Sequence, residues 1–251
     1  MLKKFSIITV VYNAKDDLAK TVQSIQSQNL NLFEHIIVDG GSTDGTLEYI
    51  QSLNHKNIDY ISEKDKGIYD AMNKGIDLST GEYLLFLNAA DTFASDKTLE
   101  IVFDRIIENK TDIIYGGSNV YTENGKFLTS LKPLSFSKKN LNKYATRTAC
   151  HQSIFVHKSI VKHYSDKYRL KGELNWYYEL LESSKEISIV KLDNMICNYY
   201  LGGTGDKNFL ENYFERLNVT WMHCSLLEFS MNMPFLLIPF IFRIRRIIFG
   251  K

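Results

Sequence analysis

The run Asp39-Gly40-Gly41-Ser42-Thr43-Asp44-Gly45-Thr46 follows an apolar stretch and opens a helical one. Its glycines permit positive φ and close backbone approach, and a helix N-terminus favours a neighbouring anion. Asp39, at a strand tip, can accept the imide N–H of a uracil. The same run also reads as a plain strand-to-helix turn with Ser42 or Thr43 as N-cap. Asn88-Ala89-Ala90-Asp91 closes a second, very apolar stretch. A carboxylate there suits a hard divalent cation whose other ligands are phosphate oxygens and water. Its plainer reading is a cap for a helix starting near Asp96.

These clusters need elements to position them. Apolar runs predict strands over Phe5–Val11, 35–38, 58–61 and 82–87, and helical spacing predicts helices over 16–28, 43–53 and Ile68–Leu78. Strand and helix thus alternate with short connections, the pattern of a parallel α/β sheet. Ligands of such sheets gather outside the carboxyl ends of the strands. Tyr12-Asn13, 39–44, 63–65 and 88–91 all fall there. Beyond about residue 108 the alternation loosens. Strands are expected over Ile113–Tyr121 and 126–131 around an Asn124-Gly125 turn, and over 153–157, 187–190 and 196–200. Helices are expected over 174–181 and, long and amphipathic, over 208–229.

The totals narrow the function. A chain of 251 residues accommodates one large domain, or one domain with a tail. Thirty basic residues against 29 acidic ones, a net charge of +1, argue against a dedicated nucleic-acid binder. Cys150, Cys197 and Cys224 are dispersed, without a CxxC pair or disulfide framework, and read as reduced thiols of a cytosolic protein. The start of the chain reads as a strand rather than a signal peptide.

Four blocks, 5–13 (FSIITVVYN), 34–46 (EHIIVDGGSTDGT), 62–75 (SEKDKGIYDAMNKG) and 81–91 (GEYLLFLNAAD), together resemble glycosyltransferase family 2, particularly its bacterial polysaccharide branch (O-antigen and capsule synthesis). The resemblance is dense over roughly 4–95. It implies a GT-A fold: a Rossmann-like, mostly parallel sheet flanked by helices, with a smaller acceptor-side region and a C-terminal amphipathic tail. The implied organisation is a domain over 1–230, with a nucleotide-sugar half at 1–108 and an acceptor half at 109–230, followed by the tail at 231–251.

By position in the resemblance, Asp39 matches the residue that reads the uracil, and Tyr12 and Asn13 lie where the first strand meets the nucleotide. Asp65 faces base or ribose, and Asn73 and Asn88 belong to the same nucleotide-sugar side. Asp91 matches the last carboxylate of the DxD-type motif, the one holding Mn²⁺ or Mg²⁺. Ala90 and Asn88 depart from the pattern, since both stand where many members have aspartate. Cys150-His151-Gln152 resembles the segment entering the acceptor half, so His151 faces phosphates or acceptor, or is a buried structural histidine. Glu173 matches the catalytic base, taking the acceptor's proton as its hydroxyl attacks with inversion, while the metal neutralises the leaving diphosphate. Otherwise Glu173 is a helix-start acid favoured by the macrodipole. Trp176 and Tyr177 form a sugar-stacking wall or core.

The expected activity is therefore sugar transfer from a nucleoside diphosphate, UDP before dTDP, to a lipid-linked or growing saccharide. The alternatives are a nucleotidyltransferase or a non-catalytic nucleotide-binding scaffold. Residues 231–251 combine apolar residues with Arg243, Arg245, Arg246 and Lys251, and their apolar run is too short to span a bilayer. They suit an in-plane helix on the inner face of the membrane, with packing on the protein or homodimer formation as the other readings.

Overall fold

The computed structural model describes residues 4–28, 32–183, 186–202 and 208–249, the last without the side chains of 239 and 241–249. Its first part holds β1 (Phe5–Val11), α1 (Lys15–Gln26), β2 (Phe33–Asp39), α2 (Thr46–Ser52), β3 (Ile58–Ser62), α3 (Ile68–Leu78) and β4 (Tyr83–Phe86). Then come β5 (Thr92–Phe93), α4 (Thr98–Asn109), β6 (Ile113–Tyr121), β7 (Phe127–Leu131), α5 (Lys138–Tyr144), β8 (Ile154–His157), α6 (Gly172–Leu181) and β9 (Ile189–Tyr200). Two helices close the described chain, α7 (Phe209–His223) and α8 (Leu226–Phe249).

One sheet runs β3-β2-β1-β4-β8-β6-β9-β5, with β7 pairing β6. Its first four strands are parallel, and β8 is antiparallel to both β4 and β6. Val11, Asp39 and Ser62 stand in register, so the loops after β1, β2 and β3 leave the sheet side by side. Along β1 the side chains alternate. Ile8 and Val10 join the core with Tyr69, Leu174 and Trp176, while Phe5 and Ile7 join Leu99, Val102 and Ile106 of α4 on the other face.

A column of rings fixes α6 beneath the sheet. Tyr69 of α3 stacks on Tyr164 at 5.2 Å, and Tyr164 stacks on Trp176 of α6 at 5.0 Å. Phe86 of β4 meets both Tyr164 and Trp176 edge-on, the orientation favoured by the ring quadrupole.

Three of the departures from the sequence expectation have identifiable causes. Helix α2 begins at Thr46 with Gly45, in the left-handed region at φ 91, as its N-cap; Asp44 accepts from the Thr46 amide at 3.1 Å, and neither Ser42 nor Thr43 is the cap. The runs at 187–190 and 196–200 join into one strand, because the polar stretch between them pairs with β6 through register shifts around Gly117. The expected helix over 208–229 breaks at Cys224-Ser225. There the Ser225 amide donates to the Glu228 carboxylate at 2.9 Å and the Glu228 amide to the Ser225 hydroxyl at 3.3 Å, a reciprocal capping box.

Helices α7 and α8 form a hairpin, with Tyr213 stacked on Phe240 at 4.1 Å and Trp221 against Phe229 at 5.0 Å. On its inner side α8 buries Leu236 and sets Phe235 beside Tyr144. Its other side exposes Leu227, Met231 and Ile238. No helix among the described residues is long and apolar enough to cross a membrane. The side chains of Arg243, Arg245 and Arg246, and Lys251 altogether, lie outside the described residues.

Candidate active site

At the tips of β1, β2 and β3 the loops are knitted together. Asn13, in the left-handed region at φ 48, accepts from the Thr43 amide at 2.8 Å and donates its own amide to the Ser42 hydroxyl at 2.7 Å. Tyr12 stands 65% exposed. A Cβ at Gly40 would lie 2.5 Å from the Asp65 carboxylate and 3.3 Å from the Tyr12 ring. Glycine at that position therefore lets Asp65 and Tyr12 converge over the tip of β2. Asp65 keeps its loop in place by accepting from the Gly67 amide at 2.9 Å.

Asp39 is fully buried. It accepts from the Ser42 amide at 3.1 Å, the Ser42 hydroxyl at 2.5 Å and the Ser62 hydroxyl at 2.6 Å. Its carboxylate thus ties the β2 and β3 loops together and faces inward. Of the nucleotide-side residues, Tyr12 and Asp65 present their side chains at the tips; Asn13 and Asp39 shape the loops beneath.

A second cluster lies at the tip of β4. The Asn88 side-chain amide is 3.1 Å from His151 Nε2, and His151 Nδ1 is 3.1 Å from the Glu173 carboxylate. With Asn88 donating, Nε2 is the acceptor and Nδ1 carries the proton donated to Glu173, so a neutral imidazole satisfies both contacts. Burial raises the Glu173 pKa, but the hydrogen bond from His151, with the Lys171 charge nearby, outweighs it and holds the group below the usual carboxylate range. Glu173 is therefore ionised at neutral pH, the state a base requires. A cavity of about 330 Å³ opens onto this group, lined by Gly116, Ser118, His151, Gln152, Glu173 and Tyr199 among others. A second cavity of like volume, beside Phe33, His35 and Ile58, lies at the amino ends of β2 and β3, away from all of these groups.

The position of Glu173 depends on its neighbour. A Cβ at Gly172 would sit 2.7 Å from the Tyr69 ring, so only glycine lets the start of α6 close on α3. Tyr69 and Gln152 are the residues sequence reasoning missed. Tyr69 is visible there only as one more apolar position of α3, and Gln152 only as a neighbour of His151.

Trp176 and Tyr177 take the core reading rather than the sugar-stacking one, and the role of Asn73 is corrected. Trp176 is 2% exposed, donates its indole N–H to the Lys162 carbonyl at 2.7 Å and is core. Tyr177, fully buried, donates to the Ala149 carbonyl at 3.3 Å; neither offers a sugar a face. Asn73 spends both ends of its amide on the Tyr164 main chain, at 2.9 and 2.7 Å, and anchors the 164 loop to α3.

Asp91 does not fit the metal role. It is 3% exposed, and its two oxygens accept from Gln152 Nε2 at 2.7 Å and the Tyr200 amide at 3.0 Å. Burial pushes its pKa up to about 7. Nor does it cap α4. Asn88 and Ala90 add no negative charge, and no group of three His, Cys, Asp or Glu among the described residues is arranged to hold a metal.

The profile of Glycosyl transferase family 2 matches residues 6–165. The chain belongs to this family. It is 32% identical over 223 residues to the PGL/p-HBAD biosynthesis glycosyltransferase of Mycobacterium tuberculosis, covering 82% of each chain. An uncharacterized glycosyltransferase of the same species is 41% identical over 90 residues, 36% of this chain and 34% of that one. The fold matches S. aureus TarS 1-349 in complex with UDP-GlcNAc, with TM-score 0.69 and 17% identity over 93% of this chain and 70% of that one. It also matches the mannosyltransferase PcManGT of Pyrobaculum calidifontis in complex with GDP-Man and Mn²⁺, with TM-score 0.61 and 12% identity over 87% and 65%. The protein is thus a transferase of family 2 with a GT-A fold.

Proposed function

We propose that this transferase moves a sugar from a UDP-sugar to a hydroxyl of a lipid-linked or growing saccharide, with inversion, in the synthesis of a bacterial surface polysaccharide. The observation that carries the reading is Glu173, held ionised by His151 at the wall of a cavity next to the β4 tip. Residues 1–108 hold the donor, with Tyr12 and Asp65 at the base and ribose, and 109–230 form the acceptor side. The UDP-GlcNAc bound to TarS and the PGL/p-HBAD biosynthesis role in the mycobacterial relative's name support this reading.

In the step itself the acceptor oxygen attacks the anomeric carbon, and the bond from that carbon to the phosphate oxygen breaks. The diphosphate leaves with the electron pair, and Glu173 takes the acceptor's proton. The exposed apolar side of α8, with Arg243, Arg245 and Arg246 later in the same stretch of sequence, supports a position on the inner face of the membrane. A non-catalytic scaffold is favoured by one observation, the inward turn of Asp39 and Asp91. Glu173→Gln separates the readings. Transfer should fall by about 10²–10⁴-fold, the usual contribution of a general base, with UDP binding kept. Near-normal transfer by this variant would place the base elsewhere. UDP binding without any transfer in the wild type would favour the scaffold.

A further inference from the structure

The turn after β4 is where the donor's diphosphate must be neutralised in the proposed reaction, and its side chains are unsuited to a cation. Its backbone is fixed from α1: the Ala90 amide donates to the Asp17 carbonyl at 3.2 Å, and the Thr21 hydroxyl to the Asp91 carbonyl at 2.8 Å. Asp91, the one acid of the turn, is directed away from the tip by donors from two other elements, Gln152 and the end of β9. Swinging it outward would take the acceptor from the part-buried amide of Tyr200 and from the buried Gln152 side chain. The side chains left at the half-buried tip are an amide at Asn88 and methyls at Ala89 and Ala90. Ala90 also holds φ 81, a left-handed conformation in which alanine is strained and Asp or Asn is at ease. The backbone at position 90 has a conformation that aspartate or asparagine adopts readily, and the residue there carries no oxygen.

We propose that this protein binds its nucleoside-diphosphate donor without a divalent cation, and that Ala90 is the residue that sets this. The inference rests on the donor reading above. The charge of the leaving diphosphate is then met by side chains and water, with Lys15 at the start of α1 and Lys64 and Lys66 on the loop after β3, all exposed, among the cations at that end of the sheet.

Calorimetric titration of the full chain with UDP, in EDTA and then in Mn²⁺, decides. The affinity should agree between the two buffers to within about threefold, a difference below 1 kcal/mol. Ala90→Asp should bind UDP at least about tenfold more tightly in Mn²⁺ than in EDTA, since it puts a carboxylate without buried donors on the half-buried tip. Wild-type affinity that rises tenfold or more with Mn²⁺ overturns the inference and leaves the donor reading standing. A folded Ala90→Asp with no response to Mn²⁺ overturns the assignment to this position. Absence of UDP binding in both buffers sinks the donor reading, and this inference with it.

Discussion

Replacing Asp91 by Asn tests whether this carboxylate is a structural clasp. Burial pushes its pKa up to about 7, against the Tyr200 amide and the Gln152 side chain, which pull it down. In an unfolded chain aspartate titrates near about 3.9. The folded value is the higher one, so the native state holds the proton more tightly. The contribution of Asp91 to stability is therefore fully present below about pH 4 and is lost as the pH rises through about 7. A shift of about three units corresponds to on the order of 4 kcal/mol. Roughly two-thirds of it, about 3 kcal/mol, falls between pH 5 and pH 8. Asparagine has no proton to exchange and leaves one of the two donors without an acceptor, a cost of about 1–3 kcal/mol at any pH. Urea denaturation of wild type and Asp91→Asn at both pH values isolates the term. The wild type should exceed the variant by a margin about 3 kcal/mol larger at pH 5 than at pH 8. An equal margin at the two pH values would mean that Asp91 titrates like a solvent-exposed acid, and the clasp would be refuted.

Two further outcomes follow from the geometry. Burial raises the Glu173 pKa and His151 more than offsets it, so His151→Ala should move the acid limb of the pH profile of kcat/KM to higher pH; an unmoved limb would show that the pair is not coupled in solution. Replacing Leu227, Met231 and Ile238 together by Ser should reduce sedimentation with anionic liposomes at unchanged thermal stability, because all three are exposed; unchanged sedimentation would move α8 to a packing role. Truncation at 231 is a poorer test, since it removes the buried Leu236.

The first half of the fold was legible because its signals are local. Phe5–Val11 is buried along its whole length, and the apolar face of Ile68–Leu78 repeats at helical spacing, so both bounds agree with the structure. Beyond residue 108 the determinants are distant in sequence. The polar middle of β9 is a strand only because the Gly116-Gly117 stretch of β6 accommodates its irregular register. The break before α8 was readable in principle, as Ser225-Leu226-Leu227-Glu228 has the spacing of a capping box. The apolar periodicity running through it made one long helix the simpler expectation.

The direction of an acid is harder to read than its presence. Strand alternation would orient a side chain while β4 lasts, but Ala90 at φ 81 breaks that period one residue before Asp91. The partners that then turn Asp91 inward come from positions 61 and 109 residues away. Those same contacts give the residue its other consequence. Gln152, which Asp91 grips, is the chain neighbour of His151, and His151 bridges Asn88 to Glu173. Asp91 is thereby linked, through Gln152 and its chain neighbour His151, to the carboxylate of Glu173, the base of the proposed reaction.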